Sequence, residues 1–142
     1  NNKRSYIHAV AFDGVTADPR FTRITVVASG DELILSQIEN QVRKLEDVIE
    51  IKLLKDGESV FRELIMIKIR VTAAQRGEIN SIADIFRAKI VDVQEESMII
   101  ELTGTQSKLE GFMNLLKGYE ILELARTGVS GLSRGSDYVL VL

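Results

Sequence analysis

A change of hydrophobic period that repeats along residues 61–126 constrains the fold more than any other feature of this chain. Short runs rich in Ile, Val and Leu alternate there with segments in which apolar residues recur every three or four positions. A period near two predicts a strand with one buried face, whereas a period near 3.6 predicts a helix with one apolar stripe. This part of the chain is therefore predicted to combine strands with amphipathic helices.

Four strands and two helices are predicted in this half. Thr72 follows the first strand and can cap the first helix, because its side-chain oxygen can accept from a free N–H of the first turn. The strands are predicted at 61–71, 89–94, 97–102 and 121–126, and the helix faces at Ile79, Ile82, Ile85 and Phe86 and at Leu109, Phe112, Met113 and Leu116. The order β-α-β-β-α-β is the split βαβ arrangement of ferredoxin-like folds.

The segment DIFRAKIVDV, residues 84–93, passes from a helical pattern to a strand pattern with no Gly or Pro between them. In a split βαβ unit the helix lies across the sheet, and its connection to the next strand can be short. We expect the side chains of Ile85 and Phe86 to be buried at the last turn of the helix. Arg87 and Lys89 follow where a helix C-terminus favours cations by a few tenths to about 1 kcal/mol.

The first half of the chain carries a shorter version of the same pattern. Strands are predicted at 6–13, 21–28 and 48–54, and a helix opened by Gly30-Asp31 has its apolar face at Leu35, Ile38, Val42 and Leu45. The segments RITVVASGD (23–31) and MIIELTGT (98–105) both pass from a strand through Gly to a helix cap. The chain is therefore predicted to be an α+β protein of two tandem ferredoxin-like units, the first lacking its leading strand and helix.

The domain boundaries follow from this repeat. We assign residues 1–55 to the N-terminal unit, 56–135 to the C-terminal unit and 136–142 to a tail. The segment KDGES, residues 55–59, is interpreted as the joint between the units. The tail ends in Val-Leu-Val-Leu, which is compatible with an edge strand or with a segment that is ordered only by contacts.

Composition argues against several classes of function. The formal net charge is −3 and the pI is near 5.3, which gives no reason to expect binding to nucleic acid or to a membrane. The chain has no cysteine, which excludes disulfides and thiolate catalysis and favours a cytoplasmic protein. No apolar run approaches the roughly 20 residues that cross a bilayer.

Catalytic motifs are not supported by the sequence. His8 is the only histidine, and it is compatible with a local hydrogen bond in a strand or with a polar contact at a ligand or subunit interface. The segment GLSRG, residues 131–135, has the letters of a nucleophile elbow, but such an elbow needs a His that follows the Ser along the chain. We interpret it as a flexible turn and expect neither a catalytic residue nor a metal site.

Several segments together resemble one known family. They are RELIMIKIRV (62–71), DIFRAKIVDV (84–93), SMIIELTG (97–104) and ELARTG (123–128), with DPRFTRITVVASGD (18–31) and QIENQVRKLEDVIEI (37–51) in the first half. By these motifs the chain resembles the small, regulatory subunit of acetolactate synthase (acetohydroxyacid synthase) over nearly its whole length.

The resemblance implies an N-terminal ACT domain, a ferredoxin-like C-terminal domain and homodimers formed through both. It implies a regulatory subunit of branched-chain amino-acid biosynthesis that is not catalytic by itself and holds no cofactor of its own. Such a subunit activates a separate large subunit that carries thiamine diphosphate, Mg2+ and FAD. It also confers feedback inhibition, usually by valine bound where two ACT domains meet.

The beginning of the chain departs from the family pattern. Family members start with a strand, a Gly-containing loop and a helix, whereas this chain starts near the end of that helix, at Arg4-Ser5. The next residues would read Tyr-Asn-Ile or Phe-Asn-Ile, but here Tyr6 directly precedes Ile7, so the Asn that contacts the effector is absent or replaced. Either leading residues are omitted or part of the effector pocket is lost. We favour omission, because an ACT sheet without a central strand would expose apolar surface.

The resemblance also suggests where partners bind. Tyr6, Ile7 and His8 are the effector-binding candidates, and Arg23 is a candidate at the ACT interface. Contact with the catalytic subunit or packing between domains is suggested for Arg62, Arg87, Arg126 and Thr127, and an ordinary surface role is the alternative for each arginine. The alternative function is a free-standing amino-acid-sensing ACT module, or a metal-responsive relative, that regulates another partner.

Overall fold

The computed structural model of the chain describes residues 3–13, 20–46 and 48–136. Its elements in chain order are β1 Lys3–Asp13, β2 Arg20–Gly30, α1 Glu32–Arg43, β3 Val48–Leu54, β4 Ser59–Arg70, α2 Gln75–Phe86, β5 Lys89–Val93, β6 Ser97–Gly104, α3 Gln106–Leu115 and β7 Ile121–Ser133. The predicted order of strands and helices is confirmed. Residues 14–19, between the first two predicted strands, and most of the predicted tail lie outside the described residues.

The chain forms two compact units. Unit 2 is Arg62–Gly128, and unit 1 combines the chain up to Phe61 with the part from Val129 onward. The change from one unit to the other therefore falls inside β4 and again inside β7. The sequence-based domain ranges 1–55, 56–135 and 136–142 stay predictions.

The sheet of unit 2 has the strand order β5-β6-β4-β7, and β4 and β6 are its two central strands. They run antiparallel, with Ile65 opposite Leu102, Ile67 opposite Ile100 and Ile69 opposite Met98. Successive side chains of a strand point to opposite faces, so these three pairs line one face of the sheet. The helices α2 and α3 cover that face, which confirms the predicted β-α-β-β-α-β unit.

The core of unit 2 lies between this face and the two helices. Its buried members are Ile65, Ile67, Ile69, Val71, Ile79, Met98, Ile100, Leu102, Leu109, Phe112 and Leu116. Full burial of one such side chain contributes about 1.5–3 kcal/mol, so the cluster dominates the stability of the unit. The rings of Phe86 and Phe112 join α2 to α3 edge to face, with centroids 5.4 Å apart.

The start of α2 is held by a reciprocal pair of hydrogen bonds. Thr72 Oγ1 accepts from the backbone N–H of Gln75 at 3.3 Å, and Gln75 Oε1 accepts from the N–H of Thr72 at 2.9 Å. This is the geometry of a capping box, which satisfies N–H groups that the helix leaves free. The predicted capping role of Thr72 is confirmed.

The prediction for the end of α2 was wrong at Ile85. The side chain of Ile85 is 74% exposed, while the helix faces the core through Ile79, Ile82, Ala83 and Phe86. With 3.6 residues per turn, Ile85 lies about 120° around the helix from Ile79, outside the apolar stripe. The prediction relied on a spacing of three residues. Two such spacings in succession fall short of two full helical turns, so the second one places the side chain outside the side that faces the core.

Unit 1 contains a three-stranded antiparallel sheet in the order β2-β1-β3. Asp31 caps α1 by accepting from the N–H of Ile34 at 2.9 Å. Ile38 and Val42 of α1 pack on the buried Ile51 of β3, as the predicted stripe requires. The stripe does not reach Leu45, which is 59% exposed because the helix already ends at Arg43.

Strand β7 continues to Ser133, well beyond the predicted end at 126. Its last part packs within unit 1, where the backbone N–H of Arg134 donates to the carbonyl of Glu58 at 2.8 Å and Gly131 is buried. The glycine permits a close approach, because a Cβ at this position would lie 2.6 Å from the ring of Phe61 and 2.9 Å from Leu54. Residues 131–133 of the segment that we interpreted as a flexible turn are therefore part of a packed strand, and a turn follows only at 134–136.

We expect Gly131→Ala to lower the free energy of unfolding by about 1–2 kcal/mol, since the added methyl group overpacks the contact with Phe61 and Leu54. Chemical denaturation followed by circular dichroism measures the change. Gly118→Ala is the matched control, because a Cβ there would meet no atom within 4 Å. Equal effects of the two substitutions would contradict the close approach.

Candidate interaction surfaces

The segment 131–135 does not form a nucleophile elbow. An elbow places its Ser on a sharp turn between a strand and a helix. Here Ser133 is the last residue of β7, and its hydroxyl oxygen accepts from Lys52 Nζ at 3.1 Å. A turn follows at Gly135, whose φ is +81°. The start of the motif therefore forms the end of a strand, and no helix follows it in the described part of the chain.

The effector-binding candidates occupy neighbouring positions on β1, the central strand of unit 1. In the backbone register Tyr6 lies between Val27 and Leu54, Ile7 between Val26 and Leu53, and His8 between Thr25 and Lys52. Arg23 lies on β2, opposite Val10 of β1. The fold therefore places the three effector candidates in the middle of one sheet, while their role stays a prediction.

Arg126 and Thr127 join β7 to β4 within unit 2. Arg126 pairs with the carboxylate of Glu63, whose side chain is only 8% exposed. Thr127 Oγ1 accepts from the N–H of Leu64 at 3.1 Å, and the same hydroxyl donates to the carbonyl oxygen of Leu64 at 3.3 Å. These contacts give both residues a structural role in the unit, and the interface role suggested for them stays a prediction.

Arg62 and Arg87 are both exposed residues of unit 2. Arg62 belongs to β4 and interacts within the chain. Arg87 ends α2 in the left-handed backbone region, with φ 56° and ψ 37°. Of the two, only Arg87 follows a helix end, as the sequence predicted.

The second face of the unit 2 sheet is not covered by α2 or α3, the two helices of that unit. We call this the open face; Met66 and Lys68 of β4 and Ile99 of β6 lie on it, at positions that alternate with the buried ones. Together with Glu123, Leu124 and Ala125 of β7 they line a shallow cavity of about 320 Å³. Two of the lining residues are charged, and Lys68 Nζ lies 3.8 Å from a carboxylate oxygen of Glu123. The apolar lining residues Met66 and Leu124 are 44% and 42% exposed.

An apolar surface with few charges is typical of a site that contacts another molecule. This surface was not predicted from the sequence. The signal was the presence of Met66 and Ile99 at positions of β4 and β6 that alternate with the buried ones.

The side chain of Tyr119 in unit 2 has a raised pKa. The hydroxyl of Tyr119, after α3, donates to a carboxylate oxygen of Glu78 in α2. That hydrogen bond, with smaller contributions from burial and from the negative charge of Glu78, raises the pKa of Tyr119 above 10.0. The interaction links the two helical segments that cover the sheet.

We expect Glu78→Gln to lower the pKa of Tyr119 toward 10.0, and the ultraviolet absorbance of tyrosinate during alkaline titration measures it. Since the folded pKa is raised, the stabilisation from this group is complete below the unfolded value and disappears as pH rises through the folded value. Tyr119→Phe identifies the transition among the three tyrosines. An identical titration in Glu78→Gln would contradict the assignment.

The described residues contain neither a membrane-spanning helix nor a cluster of side chains that could bind a metal ion. No helix there is long and apolar enough to cross a membrane. No group of three or more His, Cys, Asp or Glu side chains in that part of the chain converges on a point that could hold a metal ion.

Comparison with a solved structure shows the class of fold. The crystal structure of the acetolactate synthase small subunit from Thermotoga maritima superimposes with a TM-score of 0.84 at 28% identity, covering 95% of this chain and 99% of that one. The chain is therefore an α+β protein of tandem ferredoxin-like units, as predicted from its sequence.

Sequence comparisons define the family. The family described as the small subunit of acetolactate synthase matches residues 62–135. The acetolactate synthase small subunit of Haemophilus influenzae is 41% identical over 88% of this chain and 77% of its own length. That of Mycolicibacterium smegmatis is 44% identical over 86% of this chain and 72% of its own length. The chain belongs to the acetolactate synthase small-subunit family, which confirms the resemblance.

Proposed function

We propose that this chain is a regulatory subunit that binds the catalytic large subunit of an acetolactate synthase and raises its activity. The observation that carries the proposal is the 41–44% identity, over most of the chain, to proteins named as small subunits of this enzyme. Thiamine diphosphate, Mg2+ and FAD belong to the large subunit in this proposal, and the complex works in the cytoplasm in branched-chain amino-acid synthesis.

The proposal includes a homodimer in which a second copy of the chain covers the open face. Met66 and Leu124 support this, because they are 44% and 42% exposed and line the shallow cavity beside the open face. An apolar sheet face that is buried in a dimer resembles a protein core divided in two. The charge pair of Lys68 and Glu123 then lies at or near the edge of the buried area.

The proposal also includes feedback inhibition by valine. The effector binds near Tyr6, Ile7 and His8 where two N-terminal ACT domains meet, with Arg23 at that interface. Exposed apolar side chains lie beside these positions, since Val26 and Val27 are 36% and 42% exposed and pair with Ile7 and Tyr6. Valine shifts the complex toward a less active state, and such coupling is typically worth about 1–3 kcal/mol.

Reconstitution tests the proposal directly. The purified chain is mixed with its cognate catalytic subunit, and acetolactate formation from pyruvate is measured with and without valine. We expect activity to rise with added chain until the subunit ratio saturates, and valine to reverse part of the gain. Leucine and isoleucine, assayed in parallel, establish which branched-chain amino acid is the effector.

Calorimetry of valine binding to the chain distinguishes the ways in which the proposed function could fail. Linkage is reciprocal for binding, so if valine weakens binding of the catalytic subunit, the catalytic subunit must weaken binding of valine by the same factor. Valine binding without any effect on the catalytic subunit would favour a free-standing sensing module. Activation without valine binding would keep the regulatory subunit and remove the effector from the proposal.

A further inference from the structure

The end of α2 carries backbone strain at a position that glycine normally occupies. The N–H of Ala88 donates to the carbonyl of Ala83 at 2.8 Å, and the N–H of Arg87 donates to that of Asp84 at 3.2 Å. This is a Schellman ending, in which the residue at the left-handed position is usually Gly. With φ 56°, Arg87 brings its Cβ close to the following carbonyl oxygen, which a glycine would avoid.

The side chain of Arg87 does not compensate for this strain within the chain. Unit 2 is described throughout and contains five arginines. Four of them, Arg62, Arg70, Arg76 and Arg126, interact with other residues of the chain. The exposed guanidinium of Arg87 makes no hydrogen bond or ion pair with the described residues. Strained non-glycine residues are concentrated at sites where the side chain has a function.

A second unusual residue lies on the same helix end. Ile85 is 74% exposed, the highest value among the exposed large hydrophobic residues of the described chain. It precedes Arg87 by two residues and points away from the core stripe of α2. An exposed isoleucine beside a free arginine combines apolar area with a bidentate hydrogen-bond donor, and arginine is enriched among the residues that dominate binding interfaces.

We propose that Ile85 and Arg87 form a contact site for the catalytic subunit, in which Arg87 donates to a carboxylate and Ile85 enters an apolar recess beside it. The proposal rests on the proposed function and adds the surface that binds the enzyme. A carboxylate is the matching group, because the planar guanidinium can donate two parallel hydrogen bonds to it. A second copy fits poorly, since a two-fold contact centred here would place Arg87 against its own equivalent.

Arg87→Gly tests the proposal because stability and binding should change in opposite directions. Relief of the left-handed strain is expected to raise the melting temperature by about 2–4 °C. Loss of the guanidinium is expected to weaken binding to the cognate catalytic subunit by about tenfold, as for an interface residue of moderate importance. Arg87→Lys keeps the strain and the charge but not the paired donors, so it should bind with intermediate affinity and melt like the wild type.

Ile85→Ser should also weaken binding, and the matched control is Leu115→Ser on α3, where the leucine is 50% exposed. Affinity is measured by calorimetry and mass by light scattering.

An Arg87→Gly variant that binds and activates like the wild type overturns this proposal alone. A variant that changes self-association instead of binding assigns the site to a second copy, which also overturns it. A wild-type chain that does not bind the catalytic subunit overturns the proposed function as well.

Discussion

Leu116→Ala is expected to lower the free energy of unfolding by about 2–5 kcal/mol. The side chain of Leu116 is fully buried in the core of unit 2, where it packs in the same cluster as Leu109 and Phe112. Removing most of a buried leucine loses the favourable transfer of its methyl groups and leaves a cavity that the neighbours fill only in part. Loss of this size is a large fraction of the stability of a small domain.

The preceding residue on the same helix end supplies the control. Leu115 is 50% exposed, so Leu115→Ala removes the same atoms from a position that is still half in water. We expect a loss of at most about 1 kcal/mol there. Urea denaturation, followed by circular dichroism, compares the two variants. Equal losses would show that α3 does not face the sheet through Leu116.

Arg126→Leu is expected to lower the free energy of unfolding by about 2–3 kcal/mol. The carboxylate of Glu63 is 8% exposed and pairs with Arg126, so the substitution leaves a buried charge without its partner. Breaking a fully buried pair in this way costs about 3–5 kcal/mol. The expected loss is smaller here, because the side chain of Arg126 is itself 45% exposed and water reaches part of the site.

A double-mutant cycle isolates this effect. Adding Glu63→Gln to Arg126→Leu removes the unpaired charge, so the double variant should recover at least about 1 kcal/mol relative to Arg126→Leu alone. Arg70→Leu is the surface control, since Arg70 pairs with Glu120 and Glu96 but all three side chains are 52–79% exposed. A loss of at most about 1 kcal/mol is expected there. Equal losses for Arg126→Leu and Arg70→Leu would rule out the buried pair.

The two faces of the unit 2 sheet make different contributions to the protein. The face covered by α2 and α3 contains the isoleucines of β4 and the core partners of β6, and it accounts for stability. The open face and the side chains of Ile85 and Arg87 contribute little to that core and present apolar and charged groups outward. A rigid sheet therefore positions surfaces for partners, which suits a subunit whose proposed role is to bind an enzyme and change its activity.

Local pattern was sufficient to predict most of unit 2. The burial of Ile67, Phe112 and Leu116 follows from hydrophobic period, which is a property of residues close together in the chain. The capping role of Thr72 is equally local, because its partner Gln75 is three residues away. For the same reason the Asp31 cap of α1 could be anticipated from Gly30-Asp31 before an apolar stripe.

The sequence by itself determined the order of strands and helices, the β-α-β-β-α-β unit and the family, because these depend on short-range period and on contiguous motifs. Only the tertiary structure decided that β7 continues to Ser133, that Arg126 pairs with a buried Glu63, and that Ile85 faces outward. The first two depend on contacts between residues more than 60 positions apart, as for the 63 positions that separate Glu63 from Arg126. The third depends on which side of α2 meets the sheet, and that side is set by packing in three dimensions.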